Sequence, residues 1–168
     1  GRRKLASPAM PRRTDKPVLS FVQDSREQLP LTFTPPKRRE FSDGGVICYG
    51  LDAGDYSCEV NGELLPVRVE RKTISDYFGV VGRGRQRFER ELERLRAYTA
   101  FLVIEATADE IRHGCERSLV SGEAAYASAL CWNVKTGISV VFAGNRRTGR
   151  DTVQRLLEEF AVHSYLKK

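Results

Sequence analysis

Apolar and polar residues change rhythm along this chain, and the changes mark its elements. Val18 to Gln23 alternates as a short strand ending at Asp24, and Val46 to Tyr49 reads as another. Val67 and Val69 alternate with Arg68, Glu70 and Lys72, so in a strand the valines take one face and Glu70 and Lys72 the other. Between this run and an earlier one opening at Asp55 lies Asn61-Gly62, the dipeptide of a two-residue hairpin turn. Such a turn pairs Val60 with Glu63 and sets Asp55 opposite Arg68, diagonal to Glu70. Pro66 in the second arm predicts an edge position or a bulge, because proline cannot donate to the ladder.

Further on the period lengthens. Ile74 to Val80 suits a short helix bearing Asp76, before Gly79, Gly82 and Gly84 break the chain. From Gln86 to Thr99, Phe88, Leu92, Leu95 and Thr99 form one helical stripe. The other faces carry Arg87, Glu89, Arg90, Glu91, Glu93, Arg94 and Arg96, mixed charges that read as solvated surface. Phe101 to Ile104 is continuously apolar and suits a strand buried on both faces, with Glu105 a surface acid at its end. Thr107 to Glu110 reads as a capping box, and Ser121 caps a longer helix through Lys135 with Gly137 as its stop. Ile138 to Ala143 is the last strand, and a final helix buries Val153, Leu156, Leu157 and Phe160. Trp132 belongs to the core or to a subunit interface. Strands first, then alternating helices and strands, predict an α/β sandwich around a mixed sheet.

Composition narrows the class. The 168 residues suffice for one domain, and 40% of them are hydrophobic. Residues 1–17 are basic and proline-rich and are expected to be a disordered tail; residues 18–168 form the single domain. The chain opens on glycine and its one methionine is Met10, which leaves residues 1–9 open to being an added leader. The net charge of +6 permits a polyanionic partner without demanding one. Cys48, Cys58, Cys115 and Cys131 form no C-x-x-C pair, so neither a zinc site nor a disulfide framework is expected. No run is long and apolar enough for a membrane span, and an intracellular location is expected, nucleus and cytoplasm or nucleoid not being distinguished. His113 and His163 fall on separate helices and no G-x-S-x-G elbow is present, which disfavours triad chemistry.

The acids say more. Asp55 and Glu70 are two carboxylates able to hold a hard divalent cation through oxygen, and Lys72 stands two residues from Glu70 on the same face. That is equipment for metal-assisted phosphodiester hydrolysis. Arg71 falls with the valines on the opposite face, where it must snorkel or pair at the sheet edge.

The full set resembles the XPF-type branch of the PD-(D/E)XK nucleases, whose signature runs G-D-x(n)-E-R-K-x-x-x-D. Here it reads Gly54-Asp55, Glu70-Arg71-Lys72 and Asp76, with Asp24-Ser25-Arg26-Glu27 similar to the D-x-R-E element upstream and Gly84-Arg85 placed as the later Gly-Arg pair. The resemblance covers roughly residues 18 to 165. It implies a restriction-endonuclease-like mixed β-sheet flanked by helices, and a DNA endonuclease dependent on Mg2+ or Mn2+. Asp55, Glu70 and Asp24 are the implied metal ligands, with Asp24, Glu27 and Asp76 completing the shell directly or through water. Lys72 would position or help activate the attacking water, and Arg71 and Arg85 would stabilise the phosphate. Arg26, Arg83, Arg85 and Arg87 are the implied DNA contacts, and Tyr56 packs around the site. Relatives cut flaps, forks and junctions, leave a 5′-phosphate and a 3′-hydroxyl, and dimerise through their last helices, so a homodimer or a heterodimer with a related subunit is expected. Within these 168 residues no tandem helix-hairpin-helix module and no helicase domain is expected, and the serine that many relatives carry between Asp76 and Gly84 is missing. Structure specificity is therefore expected from a partner, from dimerisation, or not at all. The competing reading is a non-catalytic DNA-binding or scaffolding subunit, since such partners occur in the family.

Overall fold

The computed structural model describes residues 15–167, so the expected tail falls, for residues 1–14, outside the described residues. Seven strands form one mixed sheet: β1 (Val18–Asp24), β2 (Ser42–Tyr49), β3 (Tyr56–Val60), β4 (Glu63–Leu64), β5 (Val67–Thr73), β6 (Thr99–Glu105) and β7 (Ser139–Phe142). Their order is β2-β1-β3-β5-β6-β7, with β4 paired to β3. β2 runs parallel to β1, β3 is antiparallel to β1 and β5, and β5, β6 and β7 are parallel to one another. The helices are α1 (Ile74–Val81), α2 (Arg85–Leu95), α3 (Ala108–His113), α4 (Gly122–Thr136) and α5 (Arg146–Phe160), the last running into a π-helical turn over Ala161–Leu166. This is the expected architecture.

The sheet separates two cores. On one face Val67, Val69 and Val103 pack with Val153 and Leu157 of α5. On the other Leu102 and Ile104 pack with Tyr77, Phe88, Leu92, Ala129 and Trp132 from α1, α2 and α4. Period-two alternation makes this division: β6 presents apolar groups both ways, while β5 turns its valines to α5 and Glu70 and Lys72 to the other side. Trp132 is thus core, its ring 5.2 Å from Phe88 and 6.4 Å from Tyr77.

Local signals account for the helix ends. Thr107 and Glu110 exchange both capping-box bonds, Ser121 caps α4 through the Ala124 amide, and Gly137 ends it. Two boundaries differ from expectation. α2 stops at Leu95, not Thr99, because Tyr98 N bonds back to Leu95 O and Thr99 N already reaches Pro66 O to begin the pairing of β6 with β5. β2 begins at Ser42, ahead of Val46, where its parallel register with Val18 is set.

The hairpin behaves as its turn residues require. Asn61 and Gly62 both take positive φ, 51° and 81°, and Val60 pairs with Glu63. Past Pro66 the register slips: Tyr56 faces Val69, two residues out of step with the turn. Asp55 therefore does not lie opposite Arg68. Arg68 instead folds into the irregularity, its guanidinium donating to Leu65 O, Val67 O and Ser57 Oγ at 2.8–3.1 Å and stacking 4.1 Å from the Tyr98 ring centroid. A slip of two preserves parity, so Asp55 stays on the side of Glu70.

Candidate active site

At the carboxyl end of β5 a cavity of about 240 Å³ opens toward solvent. Open α/β sheets place ligands outside the carboxyl ends of their strands, and this cavity obeys that rule. Its floor holds Asp55, Glu70 and Lys72, and Asp24, Arg26 and Asp52 form one side. Arg87, Glu91 and Arg94 of α2 form the other.

Asp55 is set by the residue before it. Gly54 has φ +76°, and a Cβ there would meet Arg68 Cβ at 3.2 Å and the Val69 carbonyl at 3.4 Å. Glycine alone lets the chain turn so close to β5. Asp55 N then donates to Val69 O, and Asp55 Oδ2 accepts from Arg71 N, both at 2.8 Å. Glu70 is almost wholly buried, and Lys72 Nζ lies 2.9 Å from its Oε1. Lys72 Nζ also sits 5.5 Å from the Phe88 ring centroid.

The electrostatics of the pair are unfavourable without a cation. Burial, then the charge of Glu70, pushes the Asp55 carboxyl well above the usual range. Burial raises Glu70 as well, with Lys72 only partly offsetting it. Burial by itself would lower Lys72, but the charge and hydrogen bond of Glu70 outweigh it and hold the ammonium above its ordinary value.

The other expected residues divide. Asp24 lines the cavity, but its Oδ1 accepts from Leu51 N and Arg26 Nη2 and its Oδ2 from Arg26 Nε. Burial raises its carboxyl, while those hydrogen bonds outweigh the burial and hold it below the usual range. Both oxygens are engaged, so as folded Asp24 braces Arg26 at the cavity wall. Glu27 lies beside the cavity, 3.9 Å from Arg71 Nη1, and its Oε2 is buried with no hydrogen-bond partner among the described residues. Asp76 is exposed in the first turn of α1 and does not line the cavity.

Arg71 is turned to the opposite face, as alternation requires, and bonds Glu105 Oε1 at 2.5 Å and Leu29 O at 3.0 Å. Glu105 is correspondingly buried, not a surface acid. Arg85 packs 4.9 Å from the Trp132 ring, donates to Ser128 Oγ and pairs with Glu89. Arg83 is exposed outside the cavity, near Cys115 and Leu119. Of the four expected DNA contacts, Arg26 and Arg87 remain at the site.

Glu91 and Arg94 are lining residues that charge pattern alone assigns to solvent. Their signal is present: Arg87, Glu91 and Arg94 follow i, i+4, i+7 spacing, one turn-face beside the buried stripe of Phe88, Leu92 and Leu95. Asp52, on an irregular loop, carries no such signal.

Among the described residues no group of three or more His, Cys, Asp or Glu side chains is placed to hold a metal ion. The cavity floor offers two carboxylates, Asp55 and Glu70. That donor set suits Mg2+ or Mn2+, hard cations that keep several waters and take one or two carboxylates beside substrate phosphates. No helix among the described residues is long and apolar enough to cross a membrane.

No sequence-family profile matches the chain, and no curated protein does. Solved structures do match. XPF from Aeropyrum pernix aligns with a TM-score of 0.60 at 21% identity over 83% of this chain and 60% of that one. XPF from Aeropyrum pernix in complex with DNA aligns with a TM-score of 0.59 at 20% identity over 86% of this chain and 66% of that one. The chain therefore spans less than two thirds of the length of either, and shares their fold.

Proposed function

We propose that this chain, built on the fold of XPF, is a Mg2+- or Mn2+-dependent endonuclease that hydrolyses phosphodiester bonds in branched or structured DNA. The observation that carries the reading is the meeting of Asp55, Glu70 and Lys72 in one cavity at the carboxyl end of β5, walled by Arg87 and Arg94. Asp55 and Glu70 would hold the cation, whose charge offsets the burial that raises both carboxyls and the repulsion of Asp55 by Glu70. When bound, the ion supplies Lewis-acid charge to the phosphoryl group and acidifies water.

The chain's own groups do the rest. The Lys72 ammonium donates to a non-bridging phosphate oxygen and orients the attacking water. Arg87, with its guanidinium largely exposed, and Arg94 neutralise the flanking backbone. Arg26 is kept at the cavity by Asp24 and Leu51 O and adds a third cation on the opposite wall. Water oxygen bonds to phosphorus, the bond from phosphorus to O3′ breaks, and the proton lost by water is balanced by one gained at O3′. A 5′-phosphate and a 3′-hydroxyl result. DNA is the partner, and a second copy or a related subunit completes the assembly.

The non-catalytic alternative predicts DNA binding without cleavage. Supercoiled plasmid and a panel of flap, fork and junction substrates, each incubated with Mg2+, with Mn2+ and with chelator, separate the two. Metal-dependent nicking supports the endonuclease, and binding without nicking in either metal supports the scaffold.

A further inference from the structure

Three arginines crowd the first turns of α5. Arg146, Arg147 and Arg150, with Leu31 and Thr32, line a notch of about 340 Å³. Electrostatics argues against that placement on stability grounds. The amino end of a helix carries partial positive charge and favours acids, and α1, α3 and α4 duly place Asp76, Asp109 with Glu110, and Glu123 in their first turns. The first turns of α2 and α5 have no acid, but the Arg85 that opens α2 is used structurally, donating to Ser128 Oγ and stacking on Trp132. A local rule broken without a structural gain marks a functional surface. Arg147 is exposed and has no ion pair or side-chain hydrogen bond among the described residues, while Arg150 pairs with Asp151 at 2.8 Å.

A second observation ties the notch to the cavity. Leu29 O accepts from Arg146 Nη2 at 3.3 Å and from Arg71 Nη1 at 3.0 Å, and Arg71 Nη2 is buried with no partner among the described residues. Gly149 packs on Glu105, the partner of Arg71, where a Cβ would lie 3.0 Å from Glu105 Cγ. The notch thus stands at the same carboxyl end of the sheet as the acids, on the α5 face, with α2 on the other.

We infer that the α5 notch is a second phosphate-binding site, which takes the backbone of a DNA strand on one side of the sheet while Arg87 and Arg94 take it on the other. The inference rests on the DNA-cleaving reading above, and adds the path of the substrate to it. DNA would straddle the sheet end with Asp55 and Glu70 between the two basic groups.

The test is the salt dependence of binding, with chelator present so that nothing is cut. A fluorescently labelled duplex bearing a single-stranded flap is titrated with the full chain from about 50 to 200 mM salt, a range over which each lost phosphate contact lowers the slope of log K against log salt by about 0.9. The Arg147→Gln/Arg150→Gln double variant is expected to lose one to two such contacts. Arg147→Lys/Arg150→Lys keeps the slope, since ammonium also pairs with phosphate. Arg155→Gln on the same helix, where Arg155 does not line the notch, also leaves it unchanged. An unchanged slope in the double Gln variant overturns the notch and leaves the DNA reading intact. An equal loss in Arg155→Gln overturns it as a general charge effect. Absence of salt-dependent binding by the parent chain overturns the DNA reading and the notch together.

Discussion

Asp55 destabilises the metal-free fold at neutral pH. Its carboxyl is raised by burial and by Glu70, so the folded protein holds a proton that the unfolded chain has released. Stability then falls as pH rises above the ordinary carboxylate range, near ~4, since the folded state binds more protons there. Asp55→Asn removes this loss, and its thermal midpoint at pH 7 without metal is expected to lie above that of the parent, the difference shrinking toward pH 4. A cation bound only by the folded state works in the same direction. At a hundred times its Kd it adds ~2.7 kcal/mol, or roughly 5–10 °C for a domain of this size. Scanning calorimetry across pH, with and without Mn2+, reads both effects. A midpoint indifferent to Asp55→Asn and to Mn2+ contradicts the shared-cation site.

The hairpin carries an irregularity, and Arg68 holds that irregularity in place. Removing its guanidinium takes a charged donor from Leu65 O and Val67 O, which keep the Ser57 hydroxyl, so Arg68→Met is expected to cost about 1–3 kcal/mol, seen as a lower urea midpoint. An unchanged midpoint would mean that the bulge needs no such support. The elements were largely legible in the sequence, because Thr107 with Glu110, Ser121 with Gly137, and Asn61-Gly62 are chemical signals acting over a few residues. Pro66 announced the bulge but not its size, which depends on how Arg68 fills the gap. β2 was legible only from Val46, because Asp43-Gly44-Gly45 reads as a turn until β1 is beside it. In the site, Asp55, Glu70 and Lys72 were legible from alternation and signature. The partnership of Arg71 with Glu105 was not, since it joins neighbouring parallel strands whose register no local pattern records.

At the scale of the whole molecule, the candidate site lies at the carboxyl end of β5, and α4 leaves apolar side chains on its outer side. α4 turns Ala125, Ala129 and Trp132 inward, yet leaves Leu130 and Val134 exposed, Val134 at 86%. The expected dimer would cover such a face. Sedimentation at tens of micromolar should give twice the mass of the chain, and Val134→Arg should return it to a monomer; a monomeric parent rules the assembly out.

The central claim is that Asp55 and Glu70 share one cation and that this cation is needed for cleavage. Glu70→Gln keeps the shape of the side chain and removes its charge, so it isolates the claim better than truncation does. Plasmid nicking by Glu70→Gln in Mg2+ and in Mn2+, at protein concentrations where it binds DNA as the parent does, is the direct measurement. The account predicts a fall of at least a thousandfold in rate, ~4 kcal/mol at the transition state, with the folded structure and DNA affinity retained. Nicking at the parental rate by this variant would contradict it.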